Sequence, residues 1–248
     1  MDSLYDVNGL VMWSEKEITL RDRMADYFVN DIRHGLLTAN PAWSFHRCES
    51  SLLTPRSLIN PNYTDDDVWV QQRHGDDEDL VLRPETTPGS YQYAVNLLTN
   101  HSGIKPPTVI WQHGKSFRRE VPTPYRHMRL KEFYQLEFQC LYTSDTLNDY
   151  QSVMAPIVEK AIHDQLALPT RIVDSDRLPS YSLKTLDVEI DNGDKWMEVC
   201  SISVRNDFPI KATFMTKKGR VEKDIMVLEI AIGMDRCVYN WIKRTEKS

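Results

Sequence analysis

The chain of 248 residues is short of the features that mark several common protein classes. No run approaches the 18 or more apolar residues of a membrane-spanning helix, so no membrane partner is expected. The N-terminal stretch MDSLYDVNGLVMW carries early acidic residues and lacks the basic segment and apolar core of a secretory signal. Cys48, Cys140, Cys200 and Cys237 lie far apart and form no C-x-x-C pair. That spacing excludes a zinc site or disulfide framework, and it fits reduced thiols in a cytoplasmic protein. The seven histidines make no H-E-x-x-H, which sets aside a metalloprotease. HGKS at 113–116 looks like the tail of a phosphate-binding loop, but Val109 stands where G-x-x-x-x-G-K-[ST] requires glycine. Positive charge is not in excess either. The formal net charge is −6, which argues against general coating of DNA, so any nucleic-acid contact must rest on a local basic cluster. Internal repeats, low-complexity tracts and domain linkers are all missing.

What the chain does contain is ordinary material for a sizeable core, with 41% hydrophobic and 27% charged residues. Residues 16–37 place Leu20, Met24, Tyr27, Phe28 and Ile32 at helical spacing, and this predicts an amphipathic helix. AWSFHRCESSLLTP reads as a strand ending near Pro55, and the acid-rich NPNYTDDDVWVQQRHGDDED as a hairpin with exposed turns. LVL then gives a short strand, a turn over Pro84 to Gly89, and a helix from about Tyr91. TVIWQHGKSF and KEFYQLEFQCLY read as two strands joined by a long basic connection. A helix over 146–168, interrupted in pattern by Pro156, precedes four further strands: LKTLDVEID, KWMEVCSISV, IKATFMTK and IMVLEIAIG. MDRCVYNWIKR closes the chain as a helix. Many hairpin-connected strands with few helices predict an α+β fold, an antiparallel β-sheet flanked by helices, in one domain over 1–248.

The basic connection raises the functional question. On the strand entering it, Arg118 and Glu120 share one face; on the strand leaving it, Arg129, Lys131 and Phe133 share one face, while Glu132 and Gln135 alternate or fall in phase as the twist allows. An arginine fork binds phosphate oxygens in pairs and never loses its charge. A neighbouring phenylalanine can stack on a purine, and a carboxylate can accept from an exocyclic amine. These side chains suit a nucleotide cradle built without a glycine-rich loop. The bland reading is a solvated hairpin whose exposed ion pairs contribute about 0–1 kcal/mol each.

The wording of the segments adds to that chemistry. FRRE, a basic loop, then RLKEFYQLEFQ resembles the second signature motif of class II aminoacyl-tRNA synthetases, F-R-x-E followed by R-x-x-E-F. LEIAIGMDR at 228–236 resembles their third motif, and the helix 16–37 with its following strand fits the degenerate first. LRPETTPGSY, WMEVCSISVRNDF and VLEIAIGMDR resemble three segments of the glycyl type. The resemblance implies ATP and Mg²⁺ as cofactors and a small amino acid as substrate. It implies that Arg118 grips the α-phosphate and the amino-acid carboxylate. Glu120 and Glu132 border the adenine, Phe133 stacks on it, Arg236 holds the γ-phosphate, and Arg129, or another base in the loop 119–131, reaches the outer phosphates. Glu229 either ligates Mg²⁺ or faces the substrate amine. Glu85, beside Thr86, and Glu198, near Ser201, correspond to residues around the amino-acid ammonium group. As bland alternatives, Glu198 is a salt-bridged strand residue and Arg236 satisfies a neighbouring acid.

Two departures matter. Ile230 and Ala231 replace a proline and a serine of the glycyl-type pattern, which leaves alanine or serine open beside glycine as substrate. Only 12 residues follow Arg236, so no anticodon-binding domain is expected after it. Three function classes follow: a ligase charging tRNA or a tRNA-like acceptor, a paralogue activating an amino acid for a carrier protein or modified nucleic acid, and a non-catalytic accessory subunit. The resemblance also implies a homodimer. Sedimentation at micromolar concentration is expected to show twice the chain mass of 28.9 kDa; a species of that mass alone would refute the dimer.

Overall fold

A computed structural model describes residues 5–7, 9–71, 79–101, 103–121, 128–176 and 180–246. The expected hairpin over the acid-rich stretch and the basic connection therefore lie partly outside the described residues, at 72–78 and 122–127. A small hairpin, β1 (Tyr5–Val7) and β2 (Leu10–Met12), precedes helix α1 (Glu15–Ala39). Ser14 starts that helix, and Glu17 reaches back to accept from the Ser14 backbone N–H at 3.0 Å, a capping arrangement. Met24, Phe28, Ile32 and Leu36, each four residues apart, form its buried stripe.

The chain then enters the sheet through β3 (Ser44–Arg47) and leaves it at once. AWSFHRCESSLLTP is thus two strands, not one. Its second half, β4 (Leu53–Pro55), joins β5 (Trp69–Val70) and β6 (Leu80–Leu82) in a separate three-stranded sheet. Helix α2 (Thr87–Asn100) begins four residues before the expected Tyr91, because Pro88 falls in its first turn, where a missing N–H costs nothing. The long strands β7 (Thr108–Phe117) and β8 (Glu132–Thr143) flank the basic connection as expected. Helix α3 (Tyr150–Leu166) runs through Pro156, and it is followed by β9 (Thr170–Asp174), β10 (Ser182–Asp191) and β11 (Trp196–Arg205). A ribbon of β12 (Ala212–Thr216) and β13 (Gly219–Lys223) leads to β14 (Ile225–Gly233) and helix α4 (Met234–Thr245).

Seven strands make the main sheet in the order β3-β7-β8-β14-β11-β10-β9. Every neighbouring pair is antiparallel except β3 with β7. The alternation of side chains gives this sheet two different faces. Leu136, Phe138 and Cys140 of β8, Leu228, Ile230 and Ile232 of β14, and Cys200 and Ile202 of β11 point into the main core with α1, α3 and α4. The residues between them on β8, β14 and β11 are largely polar: Gln135, Glu137, Gln139, Glu229, Ser201, Ser203 and Arg205. Helix α2 covers one end of that polar face, where Tyr91, Ala94 and Leu97 meet Ile110, Leu141 and Val227 in a second core. The remainder is left open. Among the described residues, no helix is long and apolar enough to cross a membrane.

Because α1 is fixed to the sheet by its buried stripe, Phe28→Ala is expected to cost about 3–5 kcal/mol in urea denaturation followed by circular dichroism. A loss below about 1 kcal/mol would mean the site collapses around the gap, contrary to its complete burial.

Candidate active site

The open part of the polar face is the floor of a cavity of about 490 Å³. Nine of the residues expected at a site line it: Glu85, Arg118, Glu120, Arg129, Phe133, Glu198, Ser201, Glu229 and Arg236. They come from four places far apart in sequence, joined by sheet register: Glu229 opposes Gln139 on β8 and Ser203 on β11, and Ala231 opposes Glu137 and Ser201.

The inner end of the cavity is a cluster of buried charges. Glu85, Glu137, Glu229 and Arg205 are 5%, 2%, 7% and 2% exposed. Arg205 donates to Glu229 Oε2 at 2.6 Å and to Asp207 at 2.7 Å. Gln139 Nε2 and Thr87 Oγ1 donate to the same Glu229 oxygen, each at 2.9 Å. Thr86 is not at the cavity surface; fully buried, it donates its hydroxyl to Glu137. Thr86 and Thr87 open α2, so the carboxylates sit at a helix N-terminus, where the backbone dipole favours negative charge. Burial still dominates at Glu137. It raises the carboxyl to about 7, with Glu229 and Glu85 adding repulsion and the Thr86 hydrogen bond opposing. Glu85 is likewise raised, by burial first and then by Glu229, against the pull of Arg205 and Arg118.

Arg118 sits between this cluster and the mouth. Burial alone would lower its pKa, but Tyr63, Glu85, Glu137 and Glu120 outweigh that and raise it. Its Nε donates to the Pro84 carbonyl at 3.1 Å, and its guanidinium lies 5.2 Å from the Phe133 ring. Pro84 is held in turn by Arg83, a residue with a structural task. Arg83 Nε donates to the Lys115 carbonyl at 2.7 Å and Nη1 to the Ser50 carbonyl at 2.8 Å. A Cβ on Gly114 would stand 2.5 Å from Arg83 Nη2, so glycine is needed for that close approach. The LRPE segment is therefore an anchor (Arg83) followed by a lining residue (Glu85).

The mouth is more exposed. Arg129 lies 3.6 Å from Glu120, both on the cavity wall. Arg236, in the first turn of α4, donates to the Glu198 backbone carbonyl at 2.6 Å and lies 3.7 Å from its carboxylate. The simple pairing of these two residues is thus present, though each still lines the cavity. Glu132 is the exception among the nucleotide candidates: it pairs with Lys115, and it is not part of the lining. It is out of phase with Phe133, so it faces the α1 side of the sheet.

One oxygen of Glu229 accepts three donors, including Arg205, and the geometry bears equally on the two expected roles, a ligand for Mg²⁺ or a partner for the substrate amine. Among the described residues, no group of three or more His, Cys, Asp or Glu side chains is arranged to hold a metal ion. Sequence reasoning missed Glu137, Arg205, Tyr63, Tyr181 and Asp187, all lining the cavity except Arg205, which lies buried beneath it. Glu137 was within reach, since it is in phase with Phe133 on a strand identified from sequence. Asp187 on β10, raised to about 6 by burial and then by Glu198 and Glu189, faces Ser201 across the ladder.

The Glu137 titration has a sign. Its carboxyl stays protonated to about pH 7 in the folded chain, whereas an unfolded glutamate ionises near 4.3. Between those values the unfolded state releases its proton first, so stability falls as pH rises across the window and levels off above it. Glu137→Gln keeps an acceptor for Thr86 and removes this titration. The fall in Tm from about pH 5 to about pH 7.5 is expected to be smaller in the variant. Equal slopes would mean that Glu137 ionises normally in the fold.

Comparison with known proteins bears on the fold and the family. The family model described as tRNA synthetase class II core domain (G, H, P, S and T) matches residues 68–243. A glycine–tRNA ligase of Mycoplasma capricolum is 29% identical over 176 residues, covering 65% of this chain and 38% of that protein. One from Mesoplasma florum is 26% identical over 237 residues, covering 87% and 52%. The chain thus spans about half, or less, of the length of these relatives. A prolyl-tRNA synthetase of Cryptosporidium parvum, solved with halofuginone and AMPPNP, superposes with a TM-score of 0.73 at 15% identity. That match covers 97% of this chain and 49% of the other, and at such identity it speaks to the fold alone. By motif order, sheet architecture and the family match across most of its length, this chain belongs to the class II tRNA synthetase core domain family.

Proposed function

We propose that the chain is an ATP-dependent ligase core that activates a small amino acid, glycine foremost, as an aminoacyl-adenylate. The carrying observation is that one cavity gathers three buried glutamates, Arg118 beside Phe133, and the more exposed Arg129 and Arg236. Those groups suit an ammonium group, a carboxylate next to an α-phosphate, an adenine ring and the outer phosphates. The curated relatives named glycine–tRNA ligase support the choice of amino acid.

In this reading Glu85, Glu137 and Glu229 receive the ammonium group, and Arg118 aligns the amino-acid carboxylate with the α-phosphate. A carboxylate oxygen forms a bond to the α-phosphorus while the bond to the bridging oxygen breaks, and pyrophosphate leaves with that electron pair. No covalent intermediate with the protein is involved, so the chain contributes positioning and charge stabilisation. Arg118 suits the centre of that reaction because the carboxylates around it offset the cost of burying its charge. Mg²⁺, when bound with the phosphates, would supply charge neutralisation there, and its carboxylate ligand would come from the acids lining the cavity, Glu229 among them. The acyl group then passes to tRNA or another acceptor, and a second copy of the chain is the expected assembly partner.

Amino-acid-dependent ATP–pyrophosphate exchange across the twenty amino acids tests this reading, and exchange with none of them would remove it. Acylation of bulk tRNA separates a tRNA acceptor from another one. Arg236→Ala is expected to lower exchange by at least about 10²-fold, the scale for losing one charge-stabilising donor. Because Arg236 is partly exposed, Tm is expected to stay within about 4 °C of the parent. An unfolded variant would instead make Arg236 structural.

A further inference from the structure

Resting on that reading, we infer that Tyr63 and Tyr181 are the wall that limits the amino acid to one with little or no side chain. An amino acid without a side chain offers only its two charged ends, so a site can select it only by leaving no room for more. The three glutamates define where the ammonium group sits. The space beside it is bounded by two aromatic rings delivered by separate loops, one before β5 and one before β10.

Each ring is locked to a charged group of the inner cluster. Tyr63 donates its hydroxyl to Glu85 Oε2 at 3.2 Å, and its ring lies 5.6 Å from the Arg118 guanidinium. Its backbone carbonyl accepts from Arg56 Nη2 at 2.6 Å, which fixes the loop behind it. The Tyr181 ring lies 3.9 Å from the Arg205 guanidinium, the same arginine that holds Glu229. The two loops also touch each other, with Ser180 Oγ donating to Asn62 Oδ1 at 3.2 Å. Neither ring can swing aside without leaving an arginine face and, for Tyr63, a hydrogen bond to a buried carboxylate. Burial, followed by the charge of Glu85, raises both phenols, in keeping with rings pressed against the carboxylate cluster. A tyrosine moves about only two torsions, so such a wall is stiff at small entropic cost. The inner glutamates are nearly closed off from water, whereas Glu120 and Glu198 at the mouth are not, as a wall at this point requires.

The test is the ratio of kcat/KM in pyrophosphate exchange for alanine over glycine, measured with both L- and D-alanine. One excluded methyl group is worth about 10–200-fold in a tight pocket. Tyr63→Ala and Tyr181→Ala are expected to raise the ratio for at least one enantiomer by at least about tenfold. Tyr63→Phe and Tyr181→Phe, which keep the ring, should leave it within about threefold. An unchanged ratio in both alanine variants, with melting curves showing them folded, overturns the wall. So does a parent chain that activates larger amino acids as readily as glycine. Should the parent show no exchange with any amino acid, the activation reading fails, and the wall is then judged by thermal shift. Methylammonium should stabilise the parent more than butylammonium, and the difference should vanish in Tyr63→Ala and Tyr181→Ala. Equal or no stabilisation by the two ions overturns it.

Discussion

Arg205 and Glu229 meet at 2.6 Å in the interior, on adjacent strands and on the polar face of the sheet. Much of the site depends on that contact. A buried pair of charges is stable only when its remaining lone pairs and protons are satisfied. Here Thr87 and Gln139 complete Glu229, Asp207 completes Arg205, and Tyr181 covers the guanidinium face. Those partners tie together α2, β8, β11 and β14, and they bring the start of α2, with Glu85 and Thr86, onto the sheet. The geometry of the cavity floor follows from completing one ion pair.

The two-faced sheet makes such a cluster affordable in a chain of this size. One face carries the continuous apolar core with α1, α3 and α4, which supplies the burial that folding needs. The other is then free to hold groups that destabilise the fold, namely carboxylates raised by burial and arginines surrounded by them. Strained electrostatics of this kind concentrate at functional sites. The alternation along β8 shows the division residue by residue: Leu136 and Phe138 are core, and Glu137 and Gln139 between and beside them are site.

How far this was legible in the sequence depended on whether the signal was periodic. The long strands β7, β8, β10, β11 and β14 and the helices α1 and α4 were readable, because apolar residues recur at period 2 or 3.6 along them. Edges and short pieces were not. β9, β13 and the β1–β2 hairpin are short or solvent-facing, and carry no clear apolar alternation. At the site, the arginines stood out as a dense basic connection in a chain of net negative charge, and the motif resemblance supplied their partners. Glu132 was misplaced because it sits next to Phe133 in the motif, while strand geometry turns adjacent residues to opposite faces. Tyr63 and Tyr181 were out of reach. They lie in irregular segments, and only the long-range folding of two loops brings them to Arg118 and Arg205.

The charge balance of the inner cluster gives the proposed chemistry its direction. Glu85, Glu137 and Glu229 face two arginines, and Asp207 already claims part of one of them. The cluster is therefore short of positive charge, and the chain meets the shortage by leaving Glu137 largely protonated below about pH 7. On the proposed reading, a substrate ammonium group supplies the missing charge. Its arrival there would favour the ionised form of Glu137, since opposite charges in a water-poor site attract more strongly than in solution. A neutral amine or a bare carboxylate gains nothing comparable there. On that proposal, the shortage that raises Glu137 also selects a small cation and turns its far end toward Arg118.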